Sequence, residues 1–435
     1  MINCRKETVK LLNRTFTKDA YSNILLDNVF SENEMSSSDK KFITTLYYGV
    51  VERKITLDHI ISSYSSKGIN KLDMTILNIL RTGIYQIKYM DSVPDNAAVN
   101  EAVKLVRNFR LSSASGFVNA VLRRFIRDGN SVALPSDKKE NMSVSYSVNK
   151  EIVDMLCNGY GDEFTHAFLS RSLEKTPVYL RHNSLACDEK SLFASMGKIK
   201  IIPKENIPMC FEAASGNLTN TDAFKKGYFH VQDISSQFAC MALDPLKNQI
   251  VLDLCSAPGG KAFTIAQLME NTGTVYAFDI HEHRVKLISD GASRLGLHNI
   301  KATVGDACTH DSRYEGADKI LCDVPCSGVG VIRKKPEIRY KTPESFDELP
   351  ELQYTILKNA ASYLKVGGEL VYSTCTLNRR ENDDVIDKFL SENKNFEGVP
   401  FLTEYGEPFG SYKVTLGSDR FDSDGFFISK IRRKE

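Results

Sequence analysis

The chain contains no tryptophan and no paired CxxC knuckles. It also has no uninterrupted apolar run approaching the roughly 20 residues that a membrane helix needs. Its ten cysteines stand at irregular intervals, and no Cys/His cluster has zinc-ligand spacing, so a structural zinc module is excluded and no metal is expected. In a reducing compartment most of these cysteines are expected to be small buried apolar residues. The first residues, MINCRKETVKLLNRTF, carry neither an apolar core nor a small-residue cleavage site, so no secretory signal is expected and the expected location is cytoplasmic. The full GxGxxG fingerprint of dinucleotide binding is missing. Neither sign of charge dominates, with 56 Lys+Arg against 55 Asp+Glu. No internal repeat or low-complexity tract is present.

What is there is unevenly spread. Residues 1–130 hold 19 Lys+Arg and 13 Asp+Glu, a balance of +6, and the remainder is −5. Lys104, Arg107, Arg110, Arg123, Arg124 and Arg127 fall in a stretch without one acidic residue. Such a run fits a solvated helix face and contact with nucleic acid about equally well. Apolar residues recur at helical spacing in KLDMTILNILRTGIYQIKYM (71–90) and NAAVNEAVKLVRNF (96–109), which predicts an all-α region over 1–130. Asp95 is expected to cap the second of these helices. The Gly- and Pro-broken stretch 128–148 reads as a linker. Helical spacing returns over 149–172. A mixed pattern follows, with strands at 178–183, near 208–212 and at 228–233 and a helix near 188–196, which predicts a small α+β domain within 131–235. From 236 to the end, apolar strands alternate with amphipathic helices: IVLDLC (250–255), TVYAFD (274–279), IKATVG (300–305), DKILCD (318–323) and ELVYST (369–374). That alternation predicts a doubly wound, Rossmann-like α/β domain.

Ligands in such sheets bind beyond the carboxyl ends of the strands. The chemically distinctive residues sit at those ends, one strand after another: DLCSAPGGK (253–261), Asp279, Gly305-Asp306, DVPCSG (323–328) and STCT (373–376). Gly259 and Gly260 open a helix and allow close backbone approach to a ligand. Asp279 closes the second strand 20 residues later, a spacing that suits a carboxylate on ribose hydroxyls. Cys326 and Cys375 are expected on adjacent loops. Cysteine suits addition to C6 of a pyrimidine, because the thiolate is strongly nucleophilic and its pKa is near enough to neutral to be activated. Addition makes C5 of cytosine an enamine carbon able to take a methyl group. Asp323 is placed to protonate or hydrogen-bond cytosine N3, and the second cysteine could help remove the C5 proton.

These motifs resemble the consecutive motifs of the Nop2/Sun family of RNA cytosine-C5 methyltransferases. The likeness runs through ADKILCDVPCSGVGVIRKKPEIRY (317–340), LQYTILKNAASYLKVGGELVYSTCT (352–376) and DGFFISKIRR (424–433). LDMTILNILRTGIYQIKYM, VPDNAAVNEAV and GFVNAVLRR are similar to the NusB-like helical domain of the bacterial branch that methylates 16S ribosomal RNA at the cytosine named 967. The resemblance implies a class I methyltransferase domain that uses S-adenosyl-L-methionine. It implies Cys375 as the nucleophile and Cys326 as the cysteine that assists release. It implies a cofactor site of Cys255, Ser256, Ala257, Pro258, Gly259, Gly260, Lys261, Asp279, Arg284 and Asp306, with Lys261 and Asp323 lining the junction of cofactor and cytosine. RNA, most naturally of the small ribosomal subunit, is the implied partner, and a monomer is expected. The alternatives are a transfer-RNA cytosine-C5 methyltransferase and a NusB-like RNA-binding protein without activity. The chain departs from the family pattern at Asn378-Arg379-Arg380-Glu381-Asn382, at Val366, and at Tyr340, where tryptophan is common.

Overall fold

The computed structural model describes residues 3–18, 22–32, 34–65, 68–205, 207–214, 216–402, 408–417 and 422–435. They form two compact units, one of residues 1–158 with 335–342, the other of 159–334 with 343–435.

The first unit is helical throughout its described residues: α1 (Cys4–Lys18), α2 (Ser22–Glu32), α3 (Ser37–Glu52), α4 (Lys54–Tyr64), α5 (Met74–Tyr89), α6 (Asp95–Asn108), α7 (Ser115–Arg127), α8 (Lys138–Tyr146) and most of α9 (Lys150–Tyr160). The all-α expectation for 1–130 holds because the 3.6-residue apolar stripe recurs in each helix. Ile79, Leu80 and Ile84 of α5 and Val118, Leu122 and Phe125 of α7 are fully buried in one core. Asp95 does not cap α6. Pro94 takes the cap position and Asp95 is the first helical residue, where its charge favours the helix dipole instead. The stretch expected as a linker carries α8, started by the Asp137 side chain accepting the Glu140 amide proton. Residues 335–342 belong to this unit through Tyr340 and Arg339. The Tyr340 hydroxyl donates to the Val51 carbonyl and accepts from the Lys54 amide at 3.1 Å. Fully buried Arg339 donates to the Tyr146 carbonyl at 2.9 Å. Tyr340 is therefore a packing residue of the helical unit.

The second unit opens with α10 (Asp162–Arg171) and an antiparallel sheet in the order β2-β3-β1-β4, built from β1 (Val178–His182), β2 (Ile201–Pro203), β3 (Cys210–Ala213) and β4 (Phe229–Val231). Helix α11 (Glu189–Ser195) and the short α12 (Asp222–Lys225) lie in its connections. Helix α13 (Ile234–Leu243) leads to the large sheet. Its strands and helices alternate: β5 (Ile250–Asp253), α14 (Gly260–Leu268), β6 (Thr274–Asp279), α15 (Glu282–Leu295), β7 (Ile300–Val304), β8 (Ala317–Asp323), α16 (Leu349–Tyr363), β9 (Leu364–Thr374) and α17 (Asp383–Glu392). After α17 come β10 (Phe396–Gly398), the paired β11 (Phe401–Leu402) and β12 (Pro408–Phe409), β13 (Lys413–Leu416) and β14 (Phe426–Arg433). The sheet order is β10-β14-β9-β8-β5-β6-β7, with β13 also on β14. β5 to β9 run parallel, whereas β14 is antiparallel to β9. The order reverses beside β5, the topological switch point where a doubly wound sheet opens a crevice.

Candidate active site

The five strand ends converge as the sequence pattern requires. After β5 the chain turns through Cys255, Ser256, Ala257, Pro258, Gly259 and Gly260 into α14. The turn is pinned to the next strand by the Ser256 amide donating to the Phe278 carbonyl at 2.7 Å. Gly259 has φ +104°, a conformation that strains any residue with a Cβ. Asp279, 4% exposed, ends β6 and meets Arg284 at 3.1 Å, and Arg284 also donates to the Ala257 carbonyl at 3.1 Å. Arg284 thus ties the glycine turn to the strand-two carboxylate. Asp306 is exposed after β7, and its carboxylate accepts the Cys308 amide proton at 2.9 Å.

Asp253 is fully buried, and neither of its carboxylate oxygens has a hydrogen-bond partner within 3.5 Å, the Ser256 hydroxyl and Cys255 amide facing it at longer range. Burial, reinforced by the nearby Asp323 charge, pushes its pKa up to about 7. The Ser256 hydroxyl is likewise buried without a partner. Unsatisfied polar atoms at a ligand-binding turn are what a polar, positively charged ligand can satisfy. S-adenosylmethionine is such a ligand, so the residues present fit it. A cavity of about 210 Å³, lined among others by Leu252, Phe278, Asp306, Tyr314 and Tyr363, adjoins these strand ends. Neither cysteine, nor Lys261, nor Asp323 lines it.

On the other side of β5, the Lys261 ammonium lies 2.6 Å from one Asp323 oxygen, and the Ser373 hydroxyl donates to the other at 2.8 Å. Burial opposes the charge on Lys261, but the Asp323 carboxylate outweighs it, and the Lys261 pKa is raised. Cys326 and Cys375, on the loops after the adjacent parallel strands β8 and β9, bring their sulfurs to 3.3 Å. The hydrogen bond to Cys375 and then burial hold the Cys326 thiol well above its ordinary range. Burial, with the nearby Asp253 charge next, also pushes the Cys255 thiol up, so its side chain stays a neutral thiol and its part in the turn is played by its backbone.

Several residues of this centre carried no mark of their own in the sequence. Ser373 was visible only as part of STCT. Glu381 and Gln353, both fully buried, gave no signal.

Sheet order, strand-end acids and a glycine turn before a helix together define a class I S-adenosylmethionine-dependent methyltransferase. Residues 240–432 match the family described as 16S rRNA methyltransferase RsmB/F, and residues 2–127 match the NusB family. The chain is 36% identical to the probable ribosomal RNA small subunit methyltransferase B of Bacillus subtilis, over 95% of each protein. It is 32% identical to the protein of the same description in Synechocystis, over the whole of both. Among solved structures it is similar to a methyltransferase homolog protein from Pyrococcus horikoshii (30% identity, 69% of this chain and 100% of that chain, TM-score 0.59). It is also similar in fold to NSun6 from the same organism, solved with SFG (22% identity, 66% of this chain and 98% of that chain, TM-score 0.61). The chain belongs to the ribosomal RNA small subunit methyltransferase B family and is a methyltransferase, which sets aside the reading as an RNA-binding protein without activity. Its cofactor is S-adenosyl-L-methionine. Among the described residues no helix is long and apolar enough to cross a membrane.

Proposed function

We propose that the protein methylates C5 of a cytosine in small-subunit ribosomal RNA, the one named 967 in the 16S molecule, through a Cys375–C6 adduct that Cys326 helps to resolve. The observation that carries this reading is the pair of sulfurs 3.3 Å apart beside the Lys261–Asp323 ion pair. In this reading the bond between the two sulfurs is donated by Cys326, and Cys375, its own proton lost to solvent, is the thiolate that attacks. Addition of that thiolate to C6 moves the C5–C6 π electrons onto C5. When bound, the cofactor supplies an electrophilic methyl group. Asp323 already accepts from two donors, so it acts as a carboxylate that accepts from the cytosine amino group. The Lys261 ammonium is the donor toward the pyrimidine ring. Once Cys375 is bonded to C6, the hydrogen bond that most strongly holds the proton on Cys326 is gone. Cys326 then loses its own proton to solvent more readily, the resulting Cys326 thiolate takes the C5 proton, and re-formation of the C5–C6 double bond expels Cys375 as a thiolate.

Ribosomal RNA as the acceptor is supported by the family and by the helical unit, where Lys104, Arg107, Arg110, Arg123, Arg124 and Arg127 are all exposed. We assign the cofactor contacts to the 255–261 turn, Asp279, Arg284, Asp306 and Asp323. Among the described residues no group of three or more His, Cys, Asp or Glu could hold a metal ion.

The test is trapping. Cys326→Ala is expected to transfer the methyl group, then stall as a protein–RNA species that survives denaturing electrophoresis. Cys375→Ala and the double variant are expected to give none. Trapping by Cys375→Ala alone would assign the nucleophile to Cys326. Absence of any adduct, on RNA that the wild type methylates, would remove covalent catalysis. Bisulfite sequencing of total RNA from cells with and without the gene locates the acceptor, and a signal confined to transfer RNA would move the substrate there.

A further inference from the structure

Glu381 is fully buried one residue before the end of the loop that follows the nucleophile's strand, and it touches both cysteine loops. One carboxylate oxygen accepts the Ser327 amide proton at 2.8 Å and the Gln353 side-chain amide at 2.9 Å. The other accepts from the Asn378 side chain at 2.9 Å. Its own carbonyl accepts from the Tyr372 hydroxyl at 2.6 Å. Ser327 is the residue after Cys326, and Gln353 also donates to the carbonyl of Pro325, the residue before it, at 2.8 Å. The neighbouring Asn382 holds the other loop. It accepts from the Thr374 hydroxyl at 2.6 Å and donates to the Thr376 carbonyl at 2.9 Å, so both residues flanking Cys375 are fixed. Ser327 and Thr376 close the frame, with their hydroxyls 2.7 Å apart.

Every donor to the Glu381 carboxylate is neutral. Burying a carboxylate among neutral donors is costly compared with burying an amide or an aliphatic chain, so stability alone does not account for a charge there. Hydrogen bonding does, in part. A carboxylate accepts at both oxygens, and a glutamine would turn an NH₂ group toward the Ser327 N–H or the Asn378 NH₂. The negative charge also has a direction. It sits one residue from Cys326, where it opposes a second anion.

We propose that Glu381 is the positioning residue for both cysteines, fixing the gap between their sulfurs and directing nucleophilic character to Cys375 rather than Cys326. This rests on the reading of Cys375 as the nucleophile, but its test needs neither RNA nor methyl transfer, so the two can fail separately. The full-length protein is alkylated with iodoacetamide at fixed pH values of about 8 to 10, below the Cys326 midpoint, where the labelling rate reports that midpoint, and each cysteine is followed by peptide mass spectrometry. In Glu381→Gln the midpoint for Cys326 is expected to fall by about one pH unit, the effect of removing one nearby like charge. At a fixed lower pH that is roughly tenfold faster labelling. Partly exposed Cys308, outside this network, is expected not to change. Glu381→Asp, which keeps the charge, is expected to restore the wild-type profile. Should Glu381→Gln not fold, as judged by circular dichroism, Gln353→Leu keeps the charge and removes a donor shared with Pro325. Its Cys326 midpoint is expected to stay in place, while capture by phenylarsine oxide, which bridges two neighbouring thiols, weakens. An unchanged Cys326 profile in folded Glu381→Gln, or undiminished arsenical capture in Gln353→Leu, overturns the proposal.

Discussion

Replacing Asp253 by asparagine is expected to stabilise the protein most at neutral and alkaline pH, by progressively less as pH falls below about 7, and not at all through ionisation below about pH 4. The carboxyl of Asp253 is fully buried at the end of β5, with no hydrogen-bond partner within 3.5 Å of either oxygen, and burial outweighs the longer-range contacts from Ser256 and Cys255. Its pKa rises from about 3.9 in an unfolded chain to about 7 in the folded one. Below about pH 4 both states carry the neutral acid and folding loses nothing. Between about pH 4 and 7 the unfolded chain releases a proton that the folded chain keeps, so stability falls as pH rises. Above 7 the loss is constant. Three pKa units correspond to about 4 kcal/mol, an upper bound, because local relaxation eases the ionised form.

An asparagine at 253 is an equally unsatisfied polar group of the same shape, but it does not titrate. The difference between variant and wild type therefore isolates the ionisation and cancels every titration common to both. With no tryptophan to report unfolding, urea denaturation is best followed by circular dichroism at about pH 5, 6, 7 and 8. The two compact units can melt separately, so the relevant transition is the one in which the amides of residues 250–253 lose their protection from exchange. The stability gap in favour of Asp253→Asn is expected to widen by about 1.4 kcal/mol per pH unit up to about 7 and then level off. A gap that stays constant with pH would show that Asp253 is not a buried, uncompensated acid and would remove it as a partner for a cationic ligand.

Two further outcomes follow from the strand ends and from the helical unit. Asp279→Ala is expected to cost about 1.5–3 kcal/mol of S-adenosylmethionine affinity in calorimetry, the loss of charge-assisted hydrogen bonds, and unchanged affinity would exclude it from the site. Neutralising Arg107, Arg123 and Arg127 is expected to weaken RNA binding and to lower the slope of log affinity against log salt by up to about 0.7–0.9 per lost phosphate contact, with cofactor affinity untouched; an unaltered slope would mean that this basic face is merely solvated.

The strand-end residues were legible because each stands at a place fixed by local pattern. A run of apolar residues that stops at Asp279 or Asp323 gives the end of a strand, and parallel topology then brings those ends to one edge. Strand β6 falls on the residues its pattern predicted, 274–279. β10 to β13 gave no such pattern, being two to four residues long, too short for alternation to show. Asp95 was misplaced by one position for a related reason. An acid beside a helix start is favourable both as a cap and in the first turn, and only the backbone conformation tells the two apart.

What escaped the sequence is long-range. Glu381 follows Arg379 and Arg380, two exposed cations, and in one dimension Arg-Arg-Glu is a solvated turn. Its burial comes from partners at 327, 353 and 378, supplied by three separate segments. Tyr340 and Arg339 lie in a stretch that reads as continuous with the Cys326 loop, yet they pack in the helical unit, because a hydroxyl and a guanidinium must find acceptors when buried and the carbonyls of Val51 and Tyr146 provide them. Gly330 shows the same limit at the catalytic centre. In sequence it is one glycine of GVGV. In the fold a Cβ there would stand 1.9 Å from the Gly425 carbonyl oxygen and 2.8 Å from that of Cys375. Both obstacles are backbone and cannot rotate away. The Gly330 amide donates to the Cys375 carbonyl at 3.0 Å, and its own carbonyl accepts from Gly425 at 2.9 Å. The loop carrying Cys326, the loop carrying Cys375 and the entry to β14 are therefore held in backbone contact at a point where no side chain fits, and that close approach is what allows two sulfurs from separate strands to face each other.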